Sequence, residues 1–207
     1  MDKLPLILWS GGLDSTSLVW DHLSHGRSVD VAYITLSNND GKAAREIKAR
    51  TSMKRVFKEY PNARIRNDIE FKIPTIHTTG ISSIQSYLWL WALNLIVNPD
   101  AHTHIELGYI RGDDFWHIGS KVIQLHSDIR DTFASDSDAV SLKFPLEWTT
   151  KTSIYDKYQT EFGRKLLKHV TWCESHKKSK ECECNPCTNM RNMVPVYKPI
   201  SKIIVSK

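Results

Sequence analysis

Short apolar runs alternate along this chain with longer stretches of helical spacing. Residues 4–9 (LPLILW) are continuously apolar and stop at once in Ser10-Gly11-Gly12, which predicts a buried strand closed by a tight loop. Leu18, Val19, His22 and Leu23 then follow helical spacing, so residues 15–25 are predicted as a helix that ends near Gly26. Val29–Leu36 alternates weakly and predicts a second strand, followed by a loop over Ser37–Gly41 (SNNDG). Ala44, Ile47, Thr51, Val56 and Phe57 mark an amphipathic helix over residues 42–60, ended before Pro61. Arg64–Ile69 predicts a third strand, and residues 81–97 the most apolar helix. His104–Tyr109 predicts a fourth strand opening into the loop Ile110–Asp114, and residues 116–134 a helix. Val140–Phe144 is the last short strand; Thr150 is placed to cap a helix over 151–162 that continues through 163–170. Strands alternating with helices imply an α/β fold: a doubly wound, largely parallel sheet covered on both faces. Ligands on such sheets sit beyond the carboxyl ends of the strands. The loops Ser10–Thr16, Ser37–Arg45 and Gly108–Asp114 are therefore the candidate site.

Composition narrows the picture only slightly. With 207 residues, 41% hydrophobic and 25% charged, the chain has enough apolar material for one ordinary core. The net charge of +5 is well mixed, apart from Lys177, Lys178 and Lys180 and a basic tail. It permits a nucleic-acid partner without requiring one. The longest mainly apolar run, Tyr87–Val97, is about 11 residues, too short to span a bilayer, and no basic stretch followed by a long apolar one opens the chain. A cytoplasmic protein with no membrane partner is expected. The Trp-rich run serves either the core or a homodimer contact.

The loop after the first strand carries the first chemical signal. SGGLDST has two consecutive glycines, three hydroxyls and one carboxylate at the start of a helix. Glycines let backbone N–H groups turn toward a ligand, and the helix points its positive end the same way. Such geometry suits a phosphate chain. The loop resembles the PP-loop, SGGxDS[ST], of the N-type ATP pyrophosphatase superfamily. It is not a Walker A loop, since no Gly-Lys-Ser/Thr follows. The resemblance implies an adenine nucleotide alpha-hydrolase-like fold. It also implies cleavage of ATP between its α- and β-phosphates, with AMP transferred to a substrate oxygen and then displaced. On this reading Ser10, Gly11, Gly12, Leu13, Asp14, Ser15 and Thr16 bind ATP.

The second signal lies at the other end. All four cysteines fall in one cluster, Cys173-x8-Cys182-x-Cys184-x2-Cys187. In an intracellular chain this favours a metal over disulfides, and four thiolates suit tetrahedral zinc. An iron–sulfur cluster satisfies the same ligands, and the tight Cys182-x-Cys184 spacing leaves His176 or His169 as an alternative ligand. Two units are expected: a PP-loop domain over 1–170, and a four-cysteine zinc-binding extension over 171–207 packed on it.

A PP-loop followed by a cysteine knuckle resembles the QueC family, the 7-cyano-7-deazaguanine (preQ0) synthases. Arg45-Glu46 in the second helix, Gly108 with Asp113 or Asp114, Pro145-Leu146 with Thr150-Lys151 and Ile154, Thr171-Trp172-Cys173, and Cys187 followed by Arg191 resemble family motifs in order. The chain departs at Gly80–Gln85, where the family has Pro-Gly-Arg-Asn, and at Phe115–Gly119, where it has Tyr-Pro-Asp-Cys-Arg. Gly-Gln-Arg is likewise replaced around Asn39–Lys42.

The resemblance implies an ATP-dependent carbon–nitrogen ligase using ATP, Mg²⁺ and Zn²⁺. It joins ammonia to 7-carboxy-7-deazaguanine, giving the amide and then the nitrile, or stopping at the amide. Asp14, Asp113 and Lys151 are the expected catalytic residues, with either aspartate on Mg²⁺ or acting as a cap. Lys42, Arg45 and Lys151 are candidate phosphate contacts. Arg45, Glu46, Gln85, Gly108, Asp114, Phe115 and Trp116 are the expected substrate residues; Phe115 and Trp116 either stack on a planar base or fill the core. His117 is the histidine to watch for catalysis. Two other readings stay open: a PP-loop tRNA thiolase or other nucleic-acid modifier, and a nucleotide-bound module that engages a partner in a defence or modification system.

Overall fold

The computed structural model describes residues 2–36, 40–73, 84–133, 140–172 and 188. Five strands, β1 (Leu4–Leu8), β2 (Val29–Leu36), β3 (Ile65–Ile73), β4 (His102–Glu106) and β5 (Ser141–Lys143), form one all-parallel sheet in the order β3-β2-β1-β4-β5. Leu6 pairs with Asp30 on one side and Ile105 on the other, so the first strand is the central one. Among the described residues six α-helices accompany it: α1 (Leu13–Ser24), α2 (Asp40–Phe57), α3 (Ile84–Ile96), α4 (Gly119–Phe133), α5 (Lys151–Lys157) and α6 (Glu161–Leu167).

Alternation along β1 sends its side chains to two separate cores. Ile7 and Trp9 pack with Leu18 and Leu23 of α1, Met53 and Phe57 of α2, Ile154 and Tyr158 around α5, and Leu166 of α6. Leu6 and Leu8 pack on the opposite face with Ile34, Ile105, and Ala92 and Leu93 of α3. Helices thus cover both faces, and every strand-to-strand connection is a crossover, as parallel pairing requires. The chain leaves β1 toward β2 and β3 on one side and reaches β4 and β5 on the other. The sheet therefore reverses its winding between β1 and β4, the position where open α/β sheets place their ligands.

The predicted elements all recur, with shifted bounds. β4 starts two residues early and ends at Glu106, because Gly108 must pass close to α1. The helix predicted over 116–134 is a 3-10 turn, Asp114–His117, followed by α4. The helix predicted over 151–170 is two, since Thr160 caps a new start by accepting from Gly163 N at 3.1 Å. Among the described residues no helix is long and apolar enough to cross a membrane. Gly80 to Ser83 and Cys173, Cys182, Cys184, Cys187, His176 and Arg191 lie outside the described residues, so the expected zinc knuckle falls there too.

The α5–α6 corner depends on a missing side chain. A Cβ on Gly163 would sit 2.6 Å from Tyr158 Cα and 2.8 Å from Lys157 O. Both are backbone atoms, so α6 would have to move. Tyr158 is fully buried and donates its hydroxyl to Leu13 O at 2.9 Å. Gly163→Ala is expected to destabilise the protein by about 1–3 kcal/mol, the usual range for forced overpacking. A urea midpoint equal to that of the wild type would show that the corner relaxes freely.

Candidate active site

The candidate site lies at the reversal between β1 and β4. After β1, Trp9 N still bonds to Ala32 O at 2.8 Å, and the chain then turns sharply at Gly11, whose φ of +80° is left-handed. A side chain there is strained, and its Cβ would press on Arg50 Cγ at 3.2 Å and Glu46 O at 3.4 Å. Gly12 is the N-cap residue of α1, and no side chain caps that helix. Its first-turn N–H groups therefore have no intrahelical partner. Ser10 Oγ accepts from Gly12 N at 3.3 Å and lies 3.2 Å from Ser15 Oγ, so two hydroxyls line the turn. The loop leaving β4 passes close by: a Cβ on Gly108 would come within 3.1 Å of Ser15 N.

Three charged side chains converge on this point. Lys151, the first residue of α5, bonds Asp14 Oδ2 and lies 3.6 Å from Asp113 Oδ1. The helix that carries it is fixed by a capping box, with Thr150 Oγ1 accepting from Ser153 N at 3.1 Å and Ser153 Oγ accepting from Thr150 N at 3.2 Å. Asp113 is held by its own loop, its Oδ2 accepting from Ile110 N at 3.0 Å. Burial pushes the Asp14 carboxyl above the usual carboxylate range; Lys151 opposes that shift and nearby Asp113 adds to it. The second oxygen of Asp14, Oδ1, is buried with no hydrogen-bond partner. A buried anionic oxygen left bare is costly unless something cationic meets it.

Hard carboxylate oxygens, one of them unpartnered, fit Mg²⁺, which typically takes one or two carboxylates plus phosphate oxygens and water. Among the described residues no group of three or more His, Cys, Asp or Glu is poised to hold a metal by itself. Asp14 and Asp113 are the two carboxylates here that such an ion would meet.

The structure brings Ser10, Gly11, Gly12, Asp14, Ser15, Gly108, Asp113 and Lys151 together. Other expected residues have different surroundings. Thr16 is fully buried, and its hydroxyl accepts from Trp9 Nε1 at 2.9 Å and faces Met53, so its side chain braces the loop from below. Leu13 is a core residue. Glu46 receives the Tyr33 hydroxyl at 2.7 Å and pairs with Lys42 at 3.8 Å; burial raises its carboxyl above the usual range. Arg45 precedes it on α2. Gln85 is half-buried in the first turn of α3, beside Ser86, whose hydroxyl is 3.1 Å from that of Tyr109. Asp114 and His117 are exposed at either end of the 3-10 turn.

Phe115 fills the core, and Trp116 is half-buried against it. Phe115 is 5% exposed and stacks on Tyr109 with ring centroids 3.8 Å apart. Trp116 packs on Phe144 and donates its indole N–H to Ile110 O at 2.7 Å. Two exposed indoles belong to segments at the site: Trp172, 39% accessible and next to Thr171, and Trp148, 73% accessible, with the Arg111 guanidinium 4.2 Å from its ring centroid. Nothing in the sequence marked the pair of Trp148 and Arg111 except its closeness to Asp113 and Lys151.

Arg50 was also missed, and Thr171 was noted only within a family motif. Arg50 lies under Gly11, 1% exposed, between the Trp9 and Tyr33 rings at 5.0 and 4.6 Å, and paired with Asp68 and Glu70. Burial lowers its pKa against the pull of those carboxylates. Thr171 closes the other side, its N–H and hydroxyl both donating to Gly11 O, at 3.0 and 3.3 Å. Helical periodicity alone makes Arg50 one more surface charge. Beneath the β4 end, His22 Nε2 and His104 Nε2 lie 3.0 and 2.7 Å from the two oxygens of buried Glu106. Despite its burial, these two imidazoles hold the Glu106 carboxyl down at about 2. The trio ties α1 to β4, the two elements whose loops form the site.

No protein-family model matches this chain, and no curated protein matches it closely enough to count as a relative.

Proposed function

We propose that this chain is an ATP pyrophosphatase of the PP-loop type that activates a carboxylate by adenylation and then exchanges the AMP for ammonia. The single observation that carries the reading is the uncapped start of α1 facing the Asp14–Lys151–Asp113 cluster at the reversal of the sheet. Backbone N–H groups and the hydroxyls of Ser10 and Ser15 are suited to the β- and γ-phosphates. Asp14 and Asp113 are the residues that would hold Mg²⁺, which when bound would supply positive charge against the departing pyrophosphate. Lys151, released from Asp14, supplies its ammonium to the α-phosphate while a substrate carboxylate oxygen attacks that phosphorus in line. Ammonia then attacks the acyl carbon, AMP leaves with the carbon–oxygen bond, and the amide forms. Positioning and fixed charge supply the catalysis, so no nucleophilic side chain is required. The family resemblance supports 7-carboxy-7-deazaguanine as the acceptor, with the amide or the nitrile as product, and Cys173, Cys182, Cys184 and Cys187 as a structural Zn²⁺ site.

The test is nucleotide analysis after incubation with ATP, Mg²⁺, ammonia and 7-carboxy-7-deazaguanine. AMP and pyrophosphate in equal amounts, together with the deazapurine amide or the nitrile one water lighter by mass spectrometry, are expected. ADP as the product would overturn the reading, as would an untouched carboxylate with no AMP.

A further inference from the structure

We propose that Trp148 and Arg111 form the platform on which the planar ring of the acceptor substrate stacks. The inference rests on the adenylation reading for its substrate, and on separate geometry for its location.

The pair belongs to the same two segments as the charged cluster. Arg111 lies two residues before Asp113 on the loop leaving β4, and Trp148 three residues before Lys151 ahead of α5. Asp113 and Lys151 approach to 3.6 Å, and Arg111 N donates to Glu147 O at 2.9 Å, so the two segments are tied on both sides of the platform. The turn bearing Trp148 is itself fixed, with Glu147 N on Phe144 O at 3.0 Å and Thr149 N on Leu146 O at 2.9 Å. An indole on a mobile tail would lose ordering entropy on binding; one held by this many backbone bonds is already organised.

One face of the Trp148 ring carries the Arg111 guanidinium at 4.2 Å, while the residue as a whole remains 73% exposed. Phe115 is buried against Tyr109, and the half-buried Trp116 is tied to Ile110 O by its indole N–H. A cation behind an open indole favours a flat, electron-rich ring that bears a negative substituent. A heteroaromatic carboxylate has that chemistry. The adenine of ATP shares the ring but not the requirement, and the kinetic arms separate the two.

AMP release is measured while 7-carboxy-7-deazaguanine and ATP are varied in turn. Trp148→Ala is expected to raise the KM for the carboxylate about 10- to 100-fold, the range that base–aromatic stacking supplies, with kcat and the KM for ATP nearly unchanged. Trp148→Phe is expected to restore most of the loss. Arg111→Gln is expected to raise the same KM, and Trp91→Ala, an exposed indole on α3, to leave it alone. An unaltered carboxylate KM in Trp148→Ala, or an equal rise in the KM for ATP, would overturn the platform while leaving the adenylation reading intact. Fluorescence titration of the nucleotide-free protein with 7-carboxy-7-deazaguanine gives the separate arm. Quenching in the wild type that disappears in Trp148→Phe supports the platform even where no AMP forms, and saturable binding unaltered by Trp148→Ala, or no binding at all, overturns it.

Discussion

Asp30→Ala is expected to cost about 3–5 kcal/mol of folding free energy, the usual penalty for removing one partner of a buried charge network. That is a large part of the total stability of an ordinary domain. Asp30 is fully buried at the start of β2. Its Oδ1 accepts from Asn67 N at 2.9 Å, Asn67 Nδ2 at 3.1 Å and Arg66 Nε at 3.3 Å, and its Oδ2 from Arg66 Nη2 at 2.8 Å. His102 completes the set: its Nδ1 accepts from Asn98 N at 2.9 Å, which leaves Nε2–H to donate to Asp30 Oδ2 at 3.2 Å. The one carboxylate therefore joins β2, β3 and β4 at the end of the sheet opposite the candidate site. Burial opposes ionisation, but the Arg66 and Asn67 bonds outweigh it and hold the carboxyl below its ordinary value of 3.8. A depressed carboxylate stabilises the fold at pH values above that ordinary value, and the contribution disappears as pH falls through the native pKa. Urea unfolding should show the full gap between wild type and variant at pH 7 and a shrinking gap below about pH 4. A gap independent of pH would mean that shape, and not charge, is what Asp30 supplies. Asp30→Asn, which keeps the shape, is expected to fall between the two.

The largest expected effect on activity is at Asp14. Asp14→Asn should lower AMP release at least about 100-fold, the scale seen when one preorganised electrostatic contact is removed from a reaction centre. The same change is expected to leave stability unaltered or slightly raised. Burial holds the carboxyl of Asp14 above its ordinary pKa, so the group ionises less readily in the folded state than in the unfolded chain. Above that pKa the ionised group opposes folding, and the amide removes the charge. Lys151 keeps Asp113 at 3.6 Å as a partner. Joint measurement of AMP formation and thermal midpoint separates the outcomes. A fall in both would mark Asp14 as a fold residue, and unimpaired AMP release would remove it from the site.

Much of this architecture was legible in the residues. The apolar run of β1 followed by Ser10-Gly11-Gly12 predicted the strand, the turn and the helix, because a buried parallel strand has no polar alternation to blur its end. The order of strands and helices gave the α/β class, and the carboxyl-end rule selected the loops after β1 and β4. Side-chain direction was the part that periodicity does not encode. Phe115 and Trp116 lie on a 3-10 turn whose packing is set by the nearby Tyr109 and by Phe144, which is distant in sequence. Trp148 is exposed for the converse reason: its turn is pinned by backbone bonds and needs no burial of the indole. Arg50 resembles any solvated helix cation until Trp9, Tyr33 and Asp68 enclose it. The lysine at 151 was found, but its pairing with Asp14 spans 137 positions and no local pattern contains it.

That separation has a consequence for synthesis. The turn around Gly11 leaves a ribosome well before Thr171, which closes it from 160 positions away. Tyr158 anchors the first turn of α1 across 145 positions. Contacts so distant form late, because the intervening chain must be ordered before they are rewarded. A nascent chain therefore displays the strand and helix of a nucleotide loop long before it has a finished loop. During that interval the apolar faces of β1 and α1 are open to holding factors and to aggregation. The turn at Gly11 thus waits for 160 further positions of chain before its closing contact can form.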